Sequence, residues 1–404
     1  MKFNANMADL FNLNPKLTFQ PTTQKVPGKL YFVGEYAILE PGNTAILFSV
    51  NQYLTCQISL SRTPYSGSLQ TSLQDLLPLL YRREADKVHF SLNGMDGLDS
   101  YYHENLMDEK TRTLVLEQWQ YVFEAIRVVE ELMQELGRPL QDYHIQYYSD
   151  LVAEDGSKYG LGSSAAVTIA TIKSLLAFYG IEVKSPLSLF KLAAIALIRA
   201  GSNGSMGDVA AISFGGWVFY QSFDRKWLAA ELDNQVSLMD LLEKEWPLLE
   251  VRYLDINKRM TLLIGWTQSA ASTQNLVQQL TQRLPEKDAN YRYFLEKSKL
   301  CVNNMRTAFE KADIMQIQEE MANYRHLLLK LSSHFNIEIE TDKLKQFIQL
   351  SQAYQFEAKS SGAGGGDCGI AVGESNQKTT QLLDEWRRVG IIPLNLHVAP
   401  KQFN

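Results

Sequence analysis

The chain has 404 residues, of which 45% are hydrophobic and 21% are charged. This composition is typical of a globular protein and excludes intrinsic disorder, and at this length a single hydrophobic core usually divides, so two domains are expected. The 39 Lys and Arg residues against 45 Asp and Glu residues leave a formal net charge of -6. That balance excludes a general nucleic-acid or membrane-surface protein, because both need clustered cations that face phosphate.

The three cysteines, Cys56, Cys301 and Cys368, are far apart and lack the spacing of metal ligands, which argues against a disulfide framework and a zinc site. The first residues lack the apolar segment of a secretory signal, and no apolar run approaches the ~18 residues of a membrane span. The sequence therefore predicts a cytoplasmic protein with neither a membrane nor a nucleic acid as partner. It leaves the oligomeric state open.

The first quarter of the chain predicts β structure. Residues 1–24 are polar and have no sustained period, so we interpret them as an extension before the fold. Runs rich in β-branched and aromatic residues then predict strands at Lys29–Val33, Ala45–Val50 and Tyr53–Leu60. Residues 62–108 are polar and irregular and predict little beyond a short helix near Leu73–Arg83.

The rest of the chain alternates helices and strands. Apolar residues at alternating spacings of four and three predict long helices over Leu114–Leu136 and Ile314–Phe335. Apolar runs predict strands at His144–Leu151 and Met260–Trp266. The stretch from Asp224 to Asn257 between these regions is a candidate domain border.

The first of three glycine-rich segments is Pro27–Tyr36, which places Lys29 at the start of a predicted strand and Glu35 just past its end. Taken alone, this segment is more typical of a surface lysine on an edge strand than of a functional site.

The second segment, Lys158–Ala166, runs directly into a predicted helix that begins near Ser163. Its glycines allow backbone N–H groups to turn inward, and a helix N-terminus adds free donors with a partial positive charge, which together are typical of a phosphate cradle. Ser163 or Ser164 can add a hydroxyl to a phosphate or to Mg²⁺, and Lys158 stands beside the cradle. The alternative is an ordinary capped helix entry.

Other phosphate-binding motifs fit less well. No G-x-x-x-x-G-K-[ST] pattern and no protein-kinase motif occurs, which excludes a P-loop and a protein-kinase fold. Gly160–Ala165 does fit the dinucleotide pattern G-x-G-x-x-A, with Glu182 at a suitable distance for a ribose contact. A charged turn precedes the loop where that fold needs a strand, so a dehydrogenase is disfavoured.

Two further loops carry polar residues that suit chemistry. Lys359–Gly369 has five glycines in its last eight residues, more than an ordinary turn needs, and offers Ser360, Ser361 and Asp367 for polar contacts. A flexible hinge is the alternative interpretation. Asp208 ends another loop of small residues, where a helix N-cap and a catalytic carboxylate are equally consistent with the sequence.

In this order the segments resemble the three signature motifs of the GHMP kinases, the superfamily of galactokinase, homoserine kinase, mevalonate kinase and phosphomevalonate kinase. The resemblance covers nearly the whole chain. It implies an α+β fold of two domains with the active site between them. The implied domains are an N-terminal ribosomal-S5-like domain over residues 1–228 and a C-terminal ferredoxin-like α/β plait over residues 229–404.

Several segments are similar in particular to the phosphomevalonate kinases of the Gram-positive bacterial type, namely Gly28–Tyr31, Gly34–Gly42, Asn203–Asp208, Tyr220–Arg225 and Lys359–Cys368. This similarity implies transfer of the ATP γ-phosphoryl group, with Mg²⁺, to (R)-5-phosphomevalonate, giving 5-diphosphomevalonate and ADP in the mevalonate pathway to isoprenoid precursors. The alternatives are a mevalonate kinase, another small-molecule kinase of the superfamily, or a non-catalytic ATP-binding sensor.

The resemblance also implies roles for individual residues. Lys29 and Lys158 neutralise charge between donor and acceptor, and Asp208 corresponds to the catalytic aspartate of the family, which we expect to orient the acceptor and Lys29. The implied ATP-binding residues are Lys158, Gly160, Leu161, Gly162, Ser163, Ser164 and Ala165, with Mg²⁺ near Ser164. The implied substrate-binding residues are Lys29, Ser205, Ser272, Thr273, Ser360, Ser361, Gly362, Ala363 and Gly364, and for Ser272 and Thr273 helix capping is the alternative.

Overall fold

The structure, a computed structural model, describes residues 10–14, 19–62, 66–72, 79–84, 87–91, 109–153, 156–256, 259–269, 273–283, 288–374 and 378–403. Its strands are β1 (Phe11–Leu13), β2 (Thr22–Val33), β3 (Thr44–Leu60), β4 (Ser66–Thr71), β5 (Leu79–Glu84), β6 (Lys87–Ser91), β7 (Tyr143–Ser149), β8 (Ile181–Val183), β9 (Trp217–Gln221), β10 (Glu250–Tyr253), β11 (Met260–Trp266), β12 (Glu357–Ser360), β13 (Cys368–Glu374) and β14 (Ile392–Leu394). Its helices are α1 (Glu109–Glu135), α2 (Ser163–Phe178), α3 (Pro186–Arg199), α4 (Gly207–Phe214), α5 (Arg225–Asp233), α6 (Leu238–Glu243), α7 (Thr273–Arg283), α8 (Ala289–Lys311), α9 (Ile314–Phe335), α10 (Asp342–Ala353) and α11 (Thr379–Arg388), and a 3₁₀ turn spans Ala37–Leu39. None of these helices is both long and apolar enough to cross a membrane.

The first part of the chain forms an eight-stranded sheet in the order β10-β9-β3-β7-β4-β5-β6, with β2 paired to β3. β3 is its central element: it is rich in β-branched and aromatic residues, and its first seven residues are buried. β2 runs antiparallel along β3 with a register shift between Pro27 and Gly28. Helix α2 packs against both strands and is surrounded by α1, α3 and α4, which explains why its sequence is apolar and small on every side.

The second part forms a four-stranded antiparallel sheet in the order β12-β13-β11-β14, with helices α7 to α11 between its strands in sequence. The first and third strands of this sheet lie at its centre, which is the order of a ferredoxin-like plait. The α+β architecture and the C-terminal plait that the sequence predicts are therefore confirmed.

The C-terminal segment returns to the first sheet. Residues 397–402 fill a gap in one edge of β3, between the part that pairs with β9 and the part that pairs with β7. Val398 bridges Val50, the Ala399 N–H donates to the Ser49 carbonyl at 2.9 Å, and the Gly216 N–H donates to the Ala399 carbonyl at 3.1 Å. The two ends of the sequence thus contribute to one sheet.

Most of the predicted elements are present. The strand at Met260–Trp266 and the helix over Ile314–Phe335 have the predicted bounds, the strand and helix predicted near residues 144 and 114 are β7 and α1, and the two predicted strands at 45–50 and 53–60 are one strand, β3.

Two predictions from the first hundred residues are wrong. The short helix near Leu73–Arg83 is contradicted by β5, since residues 79–84 pair with both β4 and β6 and this pairing outweighs local helix preference; residues 73–78 lie outside the description. The proposed extension over residues 1–24 is contradicted by Phe11, which is buried in β1 against β8, and by residues 22–24, which belong to β2.

The predicted domain boundary between residues 228 and 229 stays a prediction. β10, at residues 250–253, pairs with β9 in the larger sheet although it follows that boundary, and the smaller sheet begins with β11 at Met260. A boundary between residues 253 and 260 leaves both sheets whole.

Candidate active site

Lys29 lies against the glycine loop of residues 160–162. It sits in β2 with only 8% of its surface exposed, its Nζ donates to the Gly160 carbonyl at 3.0 Å, and its backbone N–H donates to the Leu161 carbonyl at 2.9 Å. These two bonds join the first and second glycine-rich segments, which are more than a hundred residues apart in sequence.

The loop can approach Lys29 closely only because positions 160 and 162 are glycine. Both have left-handed backbone conformations, with φ of 79° at Gly160 and 84° at Gly162. A Cβ atom at Gly162 would lie 2.9 Å from Cε of Lys29, and one at Gly160 would lie 2.6 Å from Oδ2 of Asp367. Any other residue there is therefore both strained and obstructed.

The N-terminus of α2 follows this loop and has no side-chain cap. Gly162 occupies the N-cap position, the first turn contains no acidic residue, and Ser163 and Ser164 begin the helix, the first half-buried and the second exposed. Six other helices are capped by side chains, namely those of Ser185, Asp224, Ser237, Asp288, Asp313 and Thr341. The free N–H groups of α2 and the helix dipole favour an anion at this end.

Two carboxylates face Lys29. Burial lowers the pKa of the Lys29 ammonium, and the negative charges of Asp208 and, to a smaller extent, Asp367 oppose this effect. Asp208 lies half-buried in the first turn of α4, where its Oδ1 accepts from the Val209 N–H at 2.9 Å. Burial raises the pKa of its carboxyl, and Lys29 opposes that rise. Each charge therefore stabilises the other in surroundings that disfavour both.

Tyr31 and Ser205 form the next layer of polar contacts. Their hydroxyl oxygens lie 3.0 Å apart, and the Ser205 hydroxyl also accepts from the Gly207 N–H at 3.2 Å. The hydroxyl of Tyr220 donates to the Ser205 carbonyl at 2.7 Å. These bonds hold the start of α4, and with it Asp208, against β2.

The third glycine-rich segment is fastened to the same strand. The Ser361 hydroxyl accepts from the Tyr31 N–H at 3.0 Å and donates to the Tyr31 carbonyl at 2.9 Å. Lys359, with 0% of its side chain exposed, forms an ion pair with Oε1 of Glu35, which is 2% exposed, and also donates to the Ser360 carbonyl at 2.6 Å. β2 thus carries contacts from both halves of the fold within a few residues of Lys29.

The remainder of that segment, residues 362–366, turns tightly over neighbouring backbone. The Gly362 N–H donates to Oε1 of Glu35 at 3.3 Å, and the Gly365 N–H donates to the Ile339 carbonyl at 2.8 Å. A Cβ atom at Gly364 would lie 2.3 Å from the Ile339 carbonyl oxygen, whereas one at Gly362 would meet nothing within 4 Å. The first turn of the loop therefore has open space beside it.

Comparison with known proteins identifies the family. The family models for the GHMP kinases N terminal domain and the GHMP kinases C terminal domain match residues 120–216 and 305–392. The phosphomevalonate kinase of Streptomyces sp. (strain CL190) is 34% identical over 378 residues, which are 92% of this chain and 96% of that protein. The chain belongs to the phosphomevalonate kinases of the GHMP superfamily.

Solved structures agree with this family. The phosphomevalonate kinase of Streptococcus pneumoniae, in complex with phosphomevalonate and AMPPNP, is 31% identical with a TM-score of 0.76, and the match covers 93% of this chain and 99% of that one. The Lin0012 protein of Listeria innocua is 31% identical with a TM-score of 0.80, and the match covers 95% and 99% of the two chains.

The GHMP fold brings together many of the residues that the sequence singled out. Lys29, Asp208, Ser205 and the loops at 160–165 and 360–364 lie in one connected region. Lys158 is exposed two residues before Gly160, and its backbone bridges that of Val152. Its assigned role, like that of every predicted site residue, stays a prediction.

The predicted substrate-binding hydroxyls lie in different surroundings. Ser361 is engaged with Tyr31, while the Ser360 hydroxyl is buried and has no hydrogen-bond partner among the described residues. Ser272 lies outside the described residues, and Thr273 is the first residue of α7 with a side chain that is also outside the description.

The dinucleotide alternative is wrong. Glu182 lies in the short strand β8, where it accepts from Nδ2 of Asn12 at 3.0 Å and pairs with β1. The family assignment overturns the dinucleotide interpretation, and Glu182 serves the pairing of β8 with β1. Cys368 is buried as expected: its thiol donates to the Tyr159 carbonyl at 3.1 Å, and burial raises its pKa.

Sequence reasoning assigned no binding or catalytic role to four residues at this site, namely Tyr31, Glu35, Lys359 and Asp367. Tyr31 follows Lys29 by two positions, so its side chain lies on the same face of the strand, a signal that the pattern contained. The pairing of Glu35 with Lys359 and the approach of Asp367 to Gly160 join residues more than two hundred positions apart. No local pattern indicates such contacts.

Proposed function

We propose that this chain transfers the γ-phosphoryl group of ATP to (R)-5-phosphomevalonate and releases 5-diphosphomevalonate and ADP, a step of the mevalonate pathway to isoprenoid precursors. The observation that carries the proposal is the placement of Lys29 against the glycine loop and the uncapped N-terminus of α2, which together suit phosphate groups. The Streptococcus pneumoniae relative, which binds phosphomevalonate and AMPPNP, supports both substrates.

The reaction forms a bond between a 5-phosphate oxygen and the γ-phosphorus and breaks the bond from that phosphorus to the β,γ-bridging oxygen. A phosphate monoester has a second pKa of about 6, so at neutral pH the attacking oxygen has already lost its proton. A general base is therefore unnecessary. The larger obstacle is repulsion, since a single pair of like charges 4 Å apart repels by about 4 kcal/mol at an effective dielectric of about 20.

The roles of Lys29 and Asp208 follow from that obstacle. In the proposal, the Lys29 ammonium lies between donor and acceptor phosphates and offsets their repulsion as negative charge moves in the transition state. Burial lowers the pKa of Lys29, and Asp208 opposes this effect most strongly, so Asp208 keeps Lys29 charged and oriented. Lys158, exposed beside the loop, adds a second cation for the incoming nucleotide.

The nucleotide phosphates are proposed to lie on residues 160–165, where the free N–H groups of α2 supply donors. The acceptor is proposed to lie between Lys29 and the third glycine-rich segment, with Ser205, Ser272, Thr273 and residues 360–364 as its binding residues. Gly362 leaves open space beside this segment.

Mg²⁺ fits the donors at this site. The described residues contain no group of three or more His, Cys, Asp or Glu side chains arranged to hold a metal ion. Mg²⁺ commonly binds through one or two protein oxygens together with substrate phosphates and water. Ser164, exposed at the start of α2, would hold it together with the nucleotide phosphates, and bound Mg²⁺ would neutralise phosphate charge.

The test is ADP release by the purified chain with 5-phosphomevalonate, mevalonate and homoserine in parallel, and with Asp208→Asn as the control for contaminating kinases. The proposal predicts a clear preference in kcat/KM for the phosphorylated acceptor. Equal or better use of mevalonate would replace the proposal with a mevalonate kinase, and ATP binding without acceptor-dependent ADP release would indicate a sensor.

A further inference from the structure

Tyr36 has an unusual backbone conformation. Its φ of 63° and ψ of -52° lie outside the common regions for a residue with a side chain, and the Ala37 N–H donates to the Glu35 carbonyl across it at 2.7 Å. This is a γ-turn of the rare form with positive φ, which is strained. Strained residues persist where the surroundings impose the conformation, and they concentrate at functional sites.

The surroundings hold this turn from both sides. Before it, a Cβ atom at Gly34 would lie 2.4 Å from Cα of Ala45, so the chain enters the turn against β3. Within it, the Glu35 carbonyl accepts from the Tyr324 hydroxyl at 2.7 Å, and the Glu35 carboxylate pairs with Lys359. The turn therefore cannot relax without breaking contacts to the second domain.

This conformation directs the Tyr36 side chain at the third glycine-rich segment. Tyr36 is only 4% exposed, and its hydroxyl donates to the Ala363 carbonyl at 2.6 Å. Burial, with a smaller contribution from Glu35, raises the pKa of the phenol, so the hydroxyl stays a donor throughout the neutral range. Ala363 lies between Gly362 and Gly364, at the centre of the proposed acceptor loop.

We propose that Tyr36 is a positioning residue: its strained turn and its bond to the Ala363 carbonyl fix the glycine loop of residues 362–364 at the place where the acceptor binds. Glycine-rich backbone has little conformational preference of its own, so an external contact must hold its shape. The inference rests on the proposed function for the identity of the acceptor. The contact between Tyr36 and Ala363, and its effect on the mobility of residues 362–364, do not depend on that function.

The test compares Tyr36→Phe with Tyr253→Phe, a matched control because the Tyr253 hydroxyl also donates to a backbone carbonyl, that of Phe214, at 2.9 Å. Loss of one such bond of ordinary strength corresponds to about a three- to tenfold change in an equilibrium or rate. We expect Tyr36→Phe to lower kcat about three- to tenfold with the KM for ATP unchanged, and Tyr253→Phe to leave both unchanged. Amide hydrogen exchange over residues 361–366 should become faster in Tyr36→Phe alone.

The outcomes separate the possibilities. Unchanged kcat and unchanged exchange in Tyr36→Phe overturn the proposal. A higher KM for the acceptor with unchanged exchange would also overturn it, because the hydroxyl would then contact substrate directly. If the parent chain prefers another acceptor, the proposed function fails but the same comparison is made with that acceptor. If it uses none, the exchange measurement alone decides.

Discussion

The buried ion pair between Glu35 and Lys359 allows a stability prediction with a distinctive sign. Both side chains are almost fully buried, and Oε2 of Glu35 has no further hydrogen-bond partner among the described residues. Removing one partner of such a pair typically costs about 3–5 kcal/mol, because an uncompensated charge is left in a medium of low dielectric constant. We therefore expect Lys359→Met and Glu35→Gln each to lose about this much unfolding free energy.

The upper limit of each loss follows from proton equilibria. A buried charge that has lost its partner can become neutral by losing or gaining a proton, so the loss of stability cannot exceed the free energy of that proton transfer. At pH 7, deprotonating an ordinary lysine costs about 5 kcal/mol and protonating an ordinary glutamate costs about 4 kcal/mol. In Glu35→Gln the native state then binds one proton fewer than the unfolded state, so stability rises with pH by up to about 1.4 kcal/mol per unit. In Lys359→Met the native state binds one more proton, so stability rises as pH falls.

The assay is equilibrium urea unfolding followed by circular dichroism at about pH 6 and about pH 8, with the double variant as reference. Between these pH values the unfolding free energies of the two single variants should change in opposite directions relative to the parent. The double variant should have the pH dependence of the parent and be less destabilised than either single variant. If both single variants lose less than about 1 kcal/mol, or if their pH dependences agree in sign, the pair is solvated or paired differently, and the reasoning is refuted.

Three further predictions concern catalysis. Burial lowers the pKa of Lys29, so kcat/KM, which reports the free enzyme, should fall at a lower pH on the basic side than kcat, where bound phosphates favour the ammonium. Lys29→Arg should abolish this fall in activity at high pH. If kcat/KM and kcat fall at the same pH, the assignment to Lys29 is contradicted. Gly162→Ala should lose about 1–2 kcal/mol of stability because its backbone is left-handed, and it should also lower kcat because the new Cβ displaces Lys29. Gly137→Ala is the control: its φ is 64° and a Cβ there would meet nothing within 4 Å, so thermal unfolding should show the stability loss while steady-state kinetics show no change. Asp208→Asn should lower kcat about a hundredfold with the fold intact by circular dichroism, and nearly full kcat would show that the carboxylate does not orient the reaction.

Elements with a strong apolar period could be predicted from the sequence alone. The helix at 314–335 and the strand at 260–266 have the predicted bounds because each buries one regular face, and the period reports that face directly. β5 could not be predicted in this way, because its six residues depend on neighbours on both sides that are themselves irregular in sequence. Motifs predicted the candidate site in a similar manner, because a glycine next to a charged residue can be recognised in the sequence alone.

The electrostatics of the site depend on contacts that no local pattern contains. The local sequence around Lys29 is typical of an ordinary surface lysine. The residues that bury it or carry the opposite charge are distant in sequence, at positions 160–162, 208 and 367. The turn at Tyr36 also could not be predicted from the sequence. Its positive φ is imposed by Gly34, Tyr324 and the ion pair, and not by the conformational preference of tyrosine. Only the resemblance to a family predicts that these distant residues come together, because no residue taken singly indicates it.

The return of residues 397–402 to β3 has a consequence for how the chain is made. A ribosome synthesises the N-terminal half first, and domains generally fold in that order as they emerge. Among the described residues, Val50 and Asn51 nevertheless gain their partners on this edge only from residues that follow the whole second half. Until then the nascent sheet carries an open edge, which is a template for pairing with other chains. Completion of the larger sheet is therefore delayed until translation has passed through both halves, and the unfinished half is the species most in need of protection from aggregation.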